Sequence, residues 1–257
     1  MNFAKKLLFY FLFLGLVVSG PVFGQENIKT ALQNVVDSLD QLSKIKTAPL
    51  RGGKIKDAEE LKIRKAAFKN ILDLAAAESN NLKNKLIDLE GLDEQFVELK
   101  DQYLKELGNH GNYYESVNVN LEKETALVKI KELATQFRDW RKIVYHPSLQ
   151  KIINFLLIFE GRDVLQTAEN RFNNVSADFK KVSGLEVIKN SPLANLLIEA
   201  GESLDKAKKL QSAAELVILK ASDNDIQKLV EDEIEKIKEV YGYFIQMSDW
   251  VKKASKK

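Results

Sequence analysis

The sequence predicts an all-α chain: an elongated antiparallel bundle of six or seven long helices, with no β-sheet, after an N-terminal signal peptide. Three observations carry this. Beyond residue 24, apolar residues recur at alternating three- and four-residue steps almost throughout, the mark of helices with one buried stripe. Gly (12) and Pro (4) are scarce, which argues against collagen-like, linker-like and turn-dense all-β designs. Charged residues make up 30% of the chain beside 45% hydrophobic, a balance that suits long, solvated, amphipathic helices. No segment shows sustained apolar/polar alternation with β-branched enrichment, and no repeat of fixed period points to a solenoid.

Residues 1–24 have a character of their own. Lys5 and Lys6 precede an unbroken apolar run at 7–18, followed by Ser19, Gly20 and Pro21, and then Val22 and Gly24 ahead of Gln25. This is the three-part layout of a secretory signal peptide, with cleavage expected after Gly24. Left uncleaved, the uncharged stretch 7–24 would sit at the lower edge of a membrane span and serve as an anchor. In either case the body, a single helical-bundle domain at 25–257, lies outside the cytoplasm. With no Cys in the chain there is no disulfide framework, and stability must come from the core.

The first helix is expected over 25–46, on Ile28, Leu32, Val35, Leu39 and Leu42. The Ala48-Pro49-Leu50-Arg51-Gly52-Gly53 run breaks it. Asp57, with Glu60 in capping-box position, is the expected N-cap of a second helix of about 32 residues, about 48 Å long. Its stripe is Leu61, Phe68, Leu72, Ala75, Leu82, Leu86 and Leu89, interrupted by Lys65 and Ser79. A stop at Gly91 precedes a short helix on Phe96, Leu99, Tyr103 and Leu107. Gly108-Asn109-His110-Gly111-Asn112 then reads as a turn, because both residue types tolerate positive φ.

The next seam is Ala126, Ile130, Leu133, Phe137, Trp140 and Val144, ended or kinked at His146-Pro147 because proline disfavours helical geometry in the residue before it. Residues 152–159 are apolar on nearly every face and predict an enclosed helix turn. The stripe narrows to Leu165, Ala168, Phe172, Val175, Phe179 and Val182, closed by Gly184 and Asn190-Ser191-Pro192. A helix on Leu193, Leu197, Ala200, Leu204, Ala207, Ala214, Ile218 and Ala221 has small residues that permit close approach. After the Ser222-Asp223-Asn224-Asp225 turn, the last helix carries Ile226, Val230, Ile237, Val240, Phe244, Met247 and Val251 and ends in the lysine-rich tail 252–257.

Catalytic templates find no match. There is no G-x-S-x-G, no H-E-x-x-H, no calcium loop and no Walker spacing around Arg51-Gly52-Gly53-Lys54. His110 and His146 are expected in loops at the surface, and Glu106, His110 and Glu115 form a solvated group rather than a metal site. The acidic run Glu231-Asp232-Glu233-Glu235 is expected to be a solvated face braced by Lys228, Lys236 and Lys238. No cofactor, metal or catalytic residue is assigned.

One constellation suggests a ligand. Arg138, Trp140, Arg141 and Tyr145 concentrate guanidinium and aromatic groups before the most apolar helix. Their simplest role is packing, with the arginines paired to Asp139 or Glu160; the alternative is a groove for an anionic or carbohydrate ligand.

The expected function is that of an exported, non-enzymatic helical protein acting by contact with another protein as envelope scaffold, spacer or adaptor. The alternative is an extracytoplasmic ligand-binding bundle with its groove at Trp140; a membrane-active helical protein ranks third. Lys5 and Lys6 are the only charged residues before Gln25, so without residues 1–24 the chain carries 37 Lys+Arg against 37 Asp+Glu. That neutrality argues against a nucleic-acid partner. Membrane contact would come only through an uncleaved N-terminus or, weakly, the lysine tail with nearby Tyr241, Tyr243, Phe244 and Trp250.

Overall fold

A computed structural model describes residues 25–47, 53–182, 192–220 and 226–254. Among these residues every regular element is helical: α1 (Gln25–Thr47), α2 (Gly53–Asp88), α3 (Glu94–Lys123), α4 (Leu127–Trp140), a π-helical turn (Arg141–Tyr145), α5 (His146–Val182), α6 (Leu193–Leu219) and α7 (Ile226–Ala254). The expected all-α class is observed. The signal segment 1–24, the 48–52 break, the Gly184 and Asn190-Ser191 closure, and the 222–225 turn lie outside the described residues. No described helix is long and apolar enough to cross a membrane.

The chain forms two compact units, Met1–Lys83 with Leu107–Asp139, and Asn84–Glu106 with Trp140–Lys257. In the first, Phe137 of α4 packs edge-on against Phe68 of α2 at 5.5 Å and Tyr114 of α3 at 5.9 Å. The two polar interruptions of the α2 stripe both have structural work. Lys65 donates through Nζ to the carbonyls of Glu122 and Glu124, both at 2.9 Å, satisfying orphan acceptors where α3 ends. Ser79 is buried within the stripe. Asp57 is not an N-cap: α2 begins at Gly53, because Lys54 to Lys56 contain no helix breaker, and Glu60 instead braces Arg64 one turn on at 2.7 Å.

The expected turn at 108–112 is overturned. α3 runs unbroken from Glu94 to Lys123, and its buried stripe of Tyr103, Leu107, His110, Tyr114, Val117 and Leu121 keeps helical phase straight through. His110 is therefore a buried helical residue, not a loop residue. Two glycines cost a helix about 1 kcal/mol each, less than burying Tyr114, Val117 and Leu121 returns at roughly 1.5–3 kcal/mol per side chain.

In the second unit, Phe155 and Phe159 of α5 meet Tyr103 and Phe96 of α3 at 5.4 and 5.0 Å. Six of the eight residues in 152–159 are buried apolar ones, as the sequence predicts, and Asn154 is buried with them. Ala168, Ala200, Ala207 and Val240 lose all exposed surface where α5, α6 and α7 meet. Gly201 is small for a reason: a Cβ there would stand 3.2 Å from the Phe172 ring. Gly91, at φ +67°, makes the turn between α2 and α3, and Lys100 caps the end of α2 through the Leu89 carbonyl at 2.9 Å.

His146-Pro147 does not end a helix. The π turn widens the spacing just before it, and Pro147 falls in the first turn of α5, where its missing N–H is tolerated. The wider turn also shifts the buried face: Phe137, Arg141, Tyr145 and Leu149 recur every four residues, while Val144, expected on the seam, is exposed and Ile143 is 72% exposed. Val251 is likewise exposed, so the α7 stripe ends at Met247.

Candidate functional site: a cleft beside a buried carboxyl

Helical phase places Gln211 of α6 and Glu233 of α7 among the core-facing residues. Gln211 follows Leu204 and Ala207 and precedes Ala214; Glu233 lies between Val230 and Ile237. Both side chains are inside, Glu233 with 1% of its surface exposed and Gln211 with 5%. Glu233 is thus no part of a solvated acidic face. Of the expected braces, Lys238 lies 3.7 Å from Glu235, whereas Lys236 turns away from the run to Glu239 at 2.5 Å.

The two residues converge on Gly161 of α5. The position a Cβ would take there is 3.5 Å from Gln211 Oε1 and 3.5 and 3.6 Å from the two Glu233 carboxylate oxygens. None of the three oxygens accepts a hydrogen bond. The other end of Gln211 is engaged, its Nε2 donating to the Ile158 carbonyl at 3.0 Å and to Glu215 Oε1 at 2.8 Å. Arg162 donates to the same Glu215 oxygen at 2.7 Å and lies over the Phe159 ring at 4.7 Å. Loss of hydration, helped by repulsion from Glu215, pushes the Glu233 carboxyl up to about 7.

A cleft of about 800 Å³ reaches this group of three oxygens at Gln211 alone, lined by Phe159, Arg162, Leu165, Lys208 and Gln211 on one part and by Asp88, Leu89, Glu90 and Gly91 on another. Its two cations are already paired, Arg162 with Glu215 and Lys208 with Glu169 at 2.6 Å. Among the described residues, the carboxylates of Asp88, Glu90 and Asp163 on its rim have no ion pair, so the cleft is acidic in sum.

The residues selected from sequence fall in both units. Arg138, in the first unit, is exposed and bridges Asp139 at 2.7 Å, one of the pairings anticipated. In the second unit Tyr145 is fully buried, with Trp140 stacked on it at 6.1 Å and the Arg141 guanidinium 4.7 Å from its ring centre. Glu160, the other anticipated partner, pairs with Lys85 at 2.8 Å.

Gln211 and Glu233 are absent from the expected seams, yet the sequence carried a sign of them. The apolar stripe skips from Ala207 to Ala214 and from Val230 to Ile237, and a seven-residue gap in a heptad-like stripe contains one more inward position. No protein-family model, curated protein or solved structure matches the chain.

Proposed function

We propose that this is an exported, non-enzymatic helical protein that acts by binding, and that its second unit holds a small-ligand cleft at α5, α6 and α7. The observation that supports the cleft reading is Gln211, which lines the cleft and carries one of three buried, unpartnered oxygens, the other two belonging to Glu233 behind it. Each buried polar group left without a partner costs about 1–3 kcal/mol, and apolar residues of similar size would remove that cost. A ligand that supplies donors makes such an arrangement useful. The export reading rests on the layout of residues 1–24, and an elongated antiparallel bundle remains the architecture we infer for the body.

The second reading is contact with another protein, as scaffold, spacer or adaptor. It is favoured by a groove of about 370 Å³ in which Val175, Tyr241, Phe244 and exposed Ile245 lie together beside Arg171. One screen separates the two. Thermal melting against a small-molecule library should yield ligands that stabilise the wild type and not Ser212→Trp, which fills the cleft from its exposed wall. No stabilising compound, together with a co-purifying protein lost on Ile245→Glu, would replace the cleft reading by the contact reading.

A further inference from the structure

We propose that the outer seam between α5 and α7 of the second unit docks an amphipathic helix of another protein, one whose apolar stripe is flanked by carboxylates. The inference rests on the contact reading and adds the chemistry of the partner; the cleft at Gln211 plays no part in it.

Helical phase builds the seam. Glu233 reaches Gly161 and, further along both helices, Arg171 lies over the Tyr241 ring at 5.1 Å, so α5 and α7 run in the same direction. Ala168 of α5 and Val240 of α7 are fully buried between them. Outside that floor each helix carries a row at the same spacing. On α5 it is Val164, Arg171 and Val175, and on α7 it is Ile234, Tyr241 and Ile245, each at i, i+7 and i+11. Val164, Ile234 and Ile245 are exposed, Ile245 to 63%. Val175, Tyr241 and Ile245 share the wall of the 370 Å³ groove with Phe244.

Single exposed apolar side chains are ordinary on a protein surface. Two rows of equal spacing on neighbouring parallel helices are different, because they form the two walls between which a third helix packs. At 1.5 Å per residue each row is about 16 Å long, about three turns of such a helix.

Charge selects the partner. Arg171 is the one charged residue on the groove wall, and no carboxylate lines it. Among the described residues its guanidinium has no ion pair and no hydrogen bond, only the Tyr241 ring beneath it. Lys238, on the α7 row between Ile234 and Tyr241, stands 3.7 Å from Glu235, beyond hydrogen-bond reach. A helix with Glu or Asp beside its apolar stripe meets both cations, and a guanidinium takes a carboxylate in a two-pronged bond that a neutral or basic helix does not offer. A second copy docked symmetrically on the same seam would bring Arg171 and Lys238 against like charges. A flat lipid surface would touch the outermost side chains and leave the groove between the rows uncovered.

The test is fluorescence titration of the full chain with labelled peptides of about 18 residues, about 27 Å as a helix. Both carry leucines at i, i+4, i+7 and i+11, flanked in one by glutamates and in its control by lysines. The glutamate peptide should bind and the lysine peptide should not. Ile245→Glu should weaken the glutamate peptide by about tenfold or more, since it places a like charge on the groove wall. Arg171→Glu should also weaken it by about tenfold and bring the lysine peptide up to measurable binding, an exchange of preference that loss of fold cannot imitate. Both side chains are exposed, and circular dichroism should show unchanged helicity in each variant. Equal binding of the two peptides, or a preference that Arg171→Glu leaves in place, would overturn the proposal. Binding of the wild type to phosphatidylglycerol vesicles, or its dimerisation in sedimentation, would overturn it too if Ile245→Glu abolished either, because the seam would then belong to a lipid surface or to a second copy. If neither peptide binds, the acidic-helix partner fails, and co-purification with and without Ile245→Glu decides the contact reading by itself.

Discussion

Glu233 and Glu239 occupy the same helix, fewer than two turns apart, and titrate in opposite directions. Lys236 and Ser203 hydrogen-bond Glu239 and hold it below the usual carboxylate range. Glu233, stripped of water and facing Glu215, rises from 4.5 to about 7. Its raised value means that the fold favours the neutral acid. The associated stability is complete below about pH 4.5 and is lost as pH rises through 7; at about 1.4 kcal/mol per pH unit, the loss comes to about 3 kcal/mol. Urea unfolding at pH 5 and pH 8 should show wild type losing stability relative to Glu233→Gln, which has no such proton to lose. Parallel behaviour of the two chains across that window would remove the buried carboxyl from the account.

At the scale of elements, α3 shows how tertiary packing overrides local preference. Gly108 and Gly111 lie inside the helix with no positive φ, and a Cβ on either would meet nothing within 4 Å. Replacing each by Ala should therefore stabilise the protein by about 0.5–1 kcal/mol, through helix propensity and a less flexible unfolded chain. Melting curves of the single and double variants check this; a fall in melting temperature would mean that a turn forms there after all. The stripe beyond the glycines, from Tyr114 to Leu121, was in phase with Tyr103 and Leu107 in the sequence and outweighs the five turn-forming residues. The π turn is different. Nothing in Arg141 to Tyr145 marks a wider turn, so the change of buried face from Val144 to Tyr145 was not legible before the helices were packed.

For the molecule as a whole, the charge balance belongs to the body and the small positive excess to residues 1–24. If that segment is an export signal, the chain recovered from a secreting host begins at Gln25, and intact-mass measurement checks it directly. A chain retaining residues 1–24 and partitioning with membranes would instead show that the segment serves as an anchor.

The sequence by itself determined that this chain is helical, where most stripes run, and that its interior is built from aromatic and small apolar residues, because a 3.6-residue period is a local property of the chain. It also held the seven-residue gaps that place Gln211 and Glu233 inside. Only the tertiary structure decided that those two residues meet at Gly161, that Arg162 is committed to Glu215, and that Asp88, Glu90 and Asp163 ring one cleft. Meeting across three helices depends on their rotation and closeness, which side-chain packing sets and no single helix's sequence contains.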